Sequence, residues 1–132
     1  MNRVLDSNVC IELLRGRNVA VIHRYADVDP SEIVLPSIVA AELLLGAVKS
    51  NRDGASESVE RFLAAHEIVP FGEQECREYV RIRHELESSG NKIGSNDLLI
   101  AATAAARNAT LVTHNIQEFG RVNGLAIEDW EA

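Results

Sequence analysis

Arg3-Val4-Leu5-Asp6-Ser7-Asn8 is the stretch that decides the fold. A short apolar run reads as a buried strand, and Asp6 or Ser7 is a helix N-cap directly behind it. Cys10, Leu13 and Leu14 then share one helical face, and Gly16 stops the helix. A strand that turns at once into a helix is the first half of a βαβ unit. The same grammar recurs downstream. Residues 32–36 (Glu-Ile-Val-Leu-Pro) predict a second strand, and Ser37 opens a long apolar helix over 38–48. Residues 68–71 and 110–113 predict a third and a fourth strand, and 126–128 a fifth.

The intervening segments read as helices. Asn18 caps one carrying Val19, Ile22, Tyr25 and Ala26. Residues 49–56 are polar and predict a loop. Val59, Phe62, Leu63 and His66 keep helical spacing. A helix over 72–88 is expected to turn Cys76, Tyr79, Val80, Ile82 and Leu86 inward. Gly94-Ser95-Asn96-Asp97 opens a helix that is apolar nearly all round over 98–106, which predicts a core position. Strands alternating with helices give an α/β fold with a short, mostly parallel sheet of 4–5 strands. With 132 residues and no internal repeat, the chain is expected to form a single domain over 1–132.

Composition removes several function classes. The net charge of −7 argues against a surface that grips nucleic acid by overall charge, though not against a local basic rim. The longest uncharged apolar run, 98–106, is too short to cross a membrane. No basic segment followed by an apolar one marks a signal peptide. Cys10 and Cys76 are expected to be two buried thiols in a reducing compartment, and the scattered histidines offer no zinc spacing. The sequence has no GxGxxG, no GxxxxGK[ST] and no GxSxG, and Asp6-Ser7-Asn8 lacks the second Asp of a DxD phosphotransfer pair. Carboxylates are what remains for chemistry.

Three of them stand where a purely structural residue has little reason to be. Asp6 ends the first strand, and open parallel sheets bind ligands at the carboxyl ends of their strands. Glu42 is in mid-helix with Ile38, Val39, Leu45 and Gly46 as its neighbours three and four away. Asp97 lies in the first turn of the most buried helix, beside Ile93, Gly94, Ile100 and Ala101. Each has an ordinary alternative: a cap for Asp6, a buried ion pair for Glu42, a helix-dipole acid for Asp97. Together they predict an acidic cluster whose mutual repulsion a hard divalent cation relieves. Such an open carboxylate site suits phosphodiester hydrolysis. The acids alone also fit a small metal-dependent phosphatase.

At these residues the sequence resembles the PIN-domain family, and within it the VapC-type toxins of bacterial toxin–antitoxin pairs. Val4-Leu5-Asp6-Ser7-Asn8 resembles the family's opening block, with Ser7 in place of the usual Thr. Ala41-Glu42-Leu43-Leu44-Leu45-Gly46-Ala47 with Lys49-Ser50 resembles its second block. Ile93-Gly94-Ser95-Asn96-Asp97-Leu98-Leu99-Ile100-Ala101-Ala102 resembles its third. Leu111-Val112-Thr113-His114-Asn115, followed by Glu118-Phe119, Arg121-Val122, Gly124-Leu125 and Glu128-Asp129-Trp130, resembles its closing block. Four blocks in order span the chain.

The resemblance implies a three-layer α/β/α PIN-like fold and an endoribonuclease dependent on Mg²⁺ or Mn²⁺. It makes Asp6, Glu42 and Asp97 the catalytic acids and metal ligands, with Asp6 and Asp97 first. Ser7, Thr113 and Asn115 are supporting residues, Thr113 by hydrogen bonding. The family's fourth acid aligns with Asn115, which offers a carbonyl oxygen without charge, and Glu118 one turn on is either a helper or a solvated residue. The resemblance further implies a homodimer, a cytoplasmic bacterial protein, and a VapB-like antitoxin whose tail blocks the acidic site. Its substrate would be structured RNA such as tRNA, with the anticodon region of initiator tRNA as one target. Arg15, Arg17, Lys49, Arg52 and Lys92 fall near the motif segments and form a candidate phosphate-gripping rim. Arg77 and Arg81, surrounded by acids, read as a salt-bridged face. The uncharged Asn115 leaves a second reading open: a catalytically weak PIN-like adaptor that binds RNA or a protein without cutting.

Overall fold

The computed structural model describes residues 2–132. Five strands form one sheet: β1 (Arg3–Leu5), β2 (Ile33–Pro36), β3 (Glu67–Val69), β4 (Thr110–Val112) and β5 (Ile127–Glu128). Their order is β3-β2-β1-β4-β5 and every pairing is parallel, so the sheet is wholly rather than mostly parallel. Seven α-helices are found among the described residues: α1 (Ser7–Arg15), α2 (Val19–Ala26), α3 (Ser37–Ser50), α4 (Ala55–Ala64), α5 (Glu73–Ser89), α6 (Ser95–Ala106) and α7 (Ile116–Phe119).

The strand order dictates where a site can form. From β1 the chain steps outward to β2 and β3, then returns across the sheet to β4 and β5. Right-handed crossovers therefore place α1–α4 on one face and α5–α7 on the other. The direction reverses between β1 and β4, so a crevice opens at their carboxyl ends. Asp6 follows β1 and Thr113 follows β4, and Asp6 N–H donates to Val112 O at 3.0 Å across that boundary.

Burial explains why strands of two to four residues suffice. Val4, Leu5, Leu35, Leu111 and Val112 are fully enclosed, as expected for strands covered on both faces. Ile100, Ala101, Ala102 and Ala104 of α6 are equally enclosed, which fits its apolar sequence. At the C-terminus Trp130 is buried, and its Nε1 donates to Glu128 Oε1 at 2.6 Å. Arg3 and Arg24 reach the same oxygen at 3.3 and 3.2 Å, tying the last strand to β1 and α2.

The sequence expectations fail at three places. Half of the polar stretch 49–56 is helical: α3 runs to Ser50 and α4 starts at Ala55, leaving a loop of 51–54 with Asn51 at φ 54°. His66 lies beyond α4, yet it is buried against Phe62 and Tyr25, whose hydroxyl lies 2.6 Å from its Nε2. On α5 only Ile82 and Leu86 are buried; Val80 and Cys76 face outward, so the two thiols are one buried and one exposed. That face is polar instead, with Arg77–Glu73, Arg81–Glu78 and Arg83–Glu87 ion pairs.

Candidate active site

Asp6 caps α1 from the end of β1, with its own backbone extended. It is almost fully buried, and both carboxylate oxygens have donors. Oδ1 accepts from Ser7 N–H at 2.8 Å, and Oδ2 accepts from Thr113 Oγ1 at 2.8 Å. Thr113 is fully buried and its hydroxyl also accepts from Asn115 N–H at 3.0 Å. Burial pushes the Asp6 carboxyl above its ordinary value, the Thr113 and Ser7 bonds oppose that, and the charges of Glu42 and Glu118 add to it.

Glu42 enters from α3 and is half-buried. Its Oε1 accepts from Ser7 Oγ at 2.7 Å. Ser7 therefore joins two of the acids, its amide to Asp6 and its hydroxyl to Glu42. The serine keeps the one group needed for this, the hydroxyl.

Asp97 occupies the third residue of α6, with Gly94 as N-cap. Its setting differs. Glu118 of α7 lies against it beside Gly94, and a proton kept on Asp97 relieves the repulsion between the two carboxyls. Glu118 Oε1 also accepts from Gly94 N–H at 2.7 Å, and Oε2 from Asn115 Nδ2 at 2.7 Å. Burial first, then the bond to Glu118 and the charges of Glu118, Asp6 and Glu42, push Asp97 up to about 7. Burial acts on Glu118 too, but the Gly94 and Asn115 donors, the Asp97 bond and the charge of Arg121 outweigh it and hold Glu118 below its ordinary value.

The chain thus brings together Asp6, Glu42, Asp97, Ser7, Thr113 and Asn115, all six predicted from sequence. It adds Glu118, which the sequence left between helper and solvated residue. The side-chain amide of Asn115 donates to Glu118 and so orients it. The rim residues are exposed. Arg15, Arg17 and Arg52 line a groove of about 410 Å³ between α1, α3 and α4, with Ile11, Leu14, Leu43 and Val59 as apolar lining and Glu42 opening onto it. Lys92 lies in the loop before α6 and Lys49 at the end of α3.

None of Asp6, Glu42 and Asp97 has a Lys or Arg within ion-pairing distance among the described residues. The donors are all oxygen, the chemistry that hard cations prefer. Among the described residues no three Asp, Glu, His or Cys side chains form a ready-made metal cage. The arrangement fits an open site in which one or two carboxylates hold the ion and water and substrate complete its shell.

The family profile of the PIN domain matches residues 3–125. The chain is 38% identical to "Ribonuclease VapC2" of Rickettsia felis over 97% of both chains. It is 33% identical to "tRNA(fMet)-specific endonuclease VapC" of Salmonella typhimurium over 96% of both. Among solved structures it resembles a VapBC2 complex of Rickettsia felis bound to a promoter DNA fragment, with TM-score 0.88 and 36% identity over 98% of this chain and 99% of that one. It also matches VapBC-1 of nontypeable Haemophilus influenzae, with TM-score 0.89 and 32% identity over the full length of both.

Proposed function

The chain belongs to the PIN-domain family, among its VapC ribonucleases, and we propose that it is a Mg²⁺- or Mn²⁺-dependent endoribonuclease whose acids are Asp6, Glu42, Asp97 and Glu118. The observation that carries this reading is the unneutralised cluster at the β1/β4 switch point, where Ser7 and Thr113 orient Asp6 and Glu42 and no basic side chain among the described residues pairs with them.

Asp6 and Asp97 would hold the ion, with Glu42 and Glu118 completing the acidic wall. When bound, the ion supplies an activated water and stabilises charge on the phosphodiester oxygens. The protein's own part is orientation. Thr113 and the Ser7 amide fix the two oxygens of Asp6, the Ser7 hydroxyl fixes Glu42, and Asn115 with the Gly94 amide fixes Glu118. Groups held this way need no rearrangement as charge develops. Glu118 supplies the charge that Asn115 lacks, which answers the main support for a non-cutting adaptor.

The substrate of this reading is structured RNA, and tRNA first, since relatives of matching length carry that specificity in their names. Arg17, Arg52, Lys49, Lys92 and Arg15 would grip the phosphates. An antitoxin is the proposed partner, because the similar structures are toxin–antitoxin complexes. The apolar groove beside Glu42 suits its tail, with a basic side chain turned toward the acids. Exposed Leu44, Leu45 and Val48 on α3 offer an apolar face for a homodimer. No helix among the described residues is long and apolar enough to cross a membrane; the cytoplasmic place of this reading comes from the family resemblance.

The test is cleavage of a total tRNA pool by purified protein with Mg²⁺, beside Asp97→Asn. Discrete fragments from the wild type alone are expected. Binding of RNA by both without cleavage by either would replace the enzyme with the adaptor.

A further inference from the structure

The loop that delivers Asp97 is held from outside the acidic cluster. Residues 90–94 have no regular structure between α5 and α6. One end is tied to α5, where Asn91 N–H donates to Leu86 O at 2.8 Å, and Ile93 is tucked into the core. The other end is gripped by the turn containing α7 at two points. Glu118 takes the Gly94 amide, and Arg121, three residues on, donates from Nη1 to Lys92 O at 2.8 Å. The gripping turn is itself anchored: Phe119 and Val122 are buried, and Arg121 N–H donates to Glu118 O at 3.1 Å. An amide two residues from a carbonyl is thus pinned by two side chains of one turn. Gly94 caps α6, and Asp97 follows it by three residues, so the height of Asp97 above the sheet is set where these bonds end.

We propose that Arg121 is a positioning residue for Asp97: by holding the Lys92 carbonyl while Glu118 holds the Gly94 amide, it fixes the start of α6 and so the register of Asp97 against Asp6. The inference rests on the proposed role of Asp97 in holding the ion. Arg121 makes no contact with reacting atoms. It donates to a carbonyl and its charge favours ionised Glu118; a lysine of similar reach can supply both, whereas alanine supplies neither.

The experiment compares full-length wild type, Arg121→Ala and Arg121→Lys in three readouts. Mn²⁺ affinity is measured without RNA by calorimetry, Gly94 amide exchange by NMR, and cleavage of tRNA as kcat and KM. For Arg121→Ala we expect Mn²⁺ affinity lower by three- to tenfold, faster Gly94 exchange, and a fall in kcat with KM little changed. The melting temperature should stay within a few degrees, and Arg121→Lys should recover most of each loss. Unchanged Mn²⁺ affinity and unchanged Gly94 exchange in Arg121→Ala would overturn the proposal. So would a raised KM with a shallower salt dependence and nothing else, which would make Arg121 a phosphate contact. If the wild type binds Mn²⁺ but cuts no RNA, the ribonuclease reading fails while the affinity and exchange comparison still decides the role of Arg121.

Discussion

Asp6 and Asp97 belong to one cluster, but the chain holds them in opposite ways. Asp6 grows out of the sheet. Its backbone is bonded across to β4, it is nearly sealed from solvent, and each oxygen faces a neutral donor. Asp97 sits at the start of a helix behind an irregular loop, half-exposed, and faces another acid. One carboxylate is placed by main-chain structure and satisfied; the other is placed by side chains from α7 and frustrated. The frustrated one is where an incoming cation changes most.

The largest expected effect breaks both halves alike in activity and separates them in stability. Asp6→Asn and Asp97→Asn should each lower cleavage by roughly 10²–10³-fold or more, the scale of losing a group that stabilises transition-state charge. Their metal-free stabilities should diverge. In Asp97→Asn the amide takes over the proton's task and donates to Glu118, removing the repulsion. In Asp6→Asn the new NH₂ group must face the Ser7 amide or the Thr113 hydroxyl, both donors in the wild type. Asp97→Asn should therefore melt above wild type at pH 8, and Asp6→Asn should not. Thermal melts in chelator decide this; a larger gain for Asp6→Asn would reverse the contrast.

The pH dependence sharpens the same point. Folded Asp97 keeps its proton to about pH 7, whereas in the unfolded chain it releases it near 3.8. Between those values the folded state binds more protons, so stability falls as pH rises and levels off above about 7. The lowered Glu118 works in the other direction, adding stability above its ordinary 4.5 that is lost on acidification below it. Metal-free wild type should lose melting temperature from about pH 5 to pH 7, and Asp97→Asn should flatten that slope. Mn²⁺ should raise the wild-type melting temperature more at pH 8 than at pH 6, since binding must expel the shared proton. Equal slopes for the two proteins would mean that the proton is elsewhere.

The sheet side of the site was the legible side. Asp6 follows from a strand end and a cap, which are local signals, whereas Ser7 and Thr113 enter the site through the family resemblance. Glu42 and Asp97 stood out because their helical neighbours are apolar, another local signal. Glu118 was not legible. It sits on a four-residue helix whose direction is set by Phe119 entering the core, and no periodicity exists over one turn. The outward Val80 and Cys76 fail for the converse reason: α5 packs through a narrow stripe at Ile82 and Leu86, and helical spacing alone does not show how wide the buried face is. His66 kept helical spacing but is buried by its ring stacking beyond the helix end. Arg121 falls in the closing block of the resemblance, but nothing in the sequence shows its role, since its partner is a backbone carbonyl 29 residues away.

A smaller effect comes from the neutral donor on the sheet side. Thr113→Val keeps shape but removes the hydroxyl from Asp6 Oδ2 and from the Asn115 amide, in a fully buried place. Unsatisfied buried partners cost about 1–3 kcal/mol, read as a lower denaturation midpoint. Activity should fall about 10–100-fold, as for lost partners of metal ligands. Thr113→Ser should retain most of both. A variant as stable and active as wild type would mean that Asp6 is positioned by the backbone alone.

The smallest effects belong to the basic rim, and their pattern differs from that of the acids. Arg15 already pairs with Glu12 at 3.7 Å, whereas Arg17 and Arg52 have no ion pair among the described residues and border the groove next to Glu42. Phosphate contacts act through charge and tolerate loose geometry. Each alanine substitution at Arg17 or Arg52 should weaken RNA binding a few-fold and reduce the salt slope by about one. Arg15→Ala should do less, because its charge is partly spent on Glu12. The double variant should be additive, since the two act on separate phosphates, while any pair drawn from Asp6, Asp97 and Glu118 should be far from additive, since the proposed ion would draw on all three. Salt titrations of RNA binding in chelator isolate the rim from the acids. Non-additive rim variants would mean that Arg17 and Arg52 grip one phosphate together, and the groove itself would then be part of the RNA path.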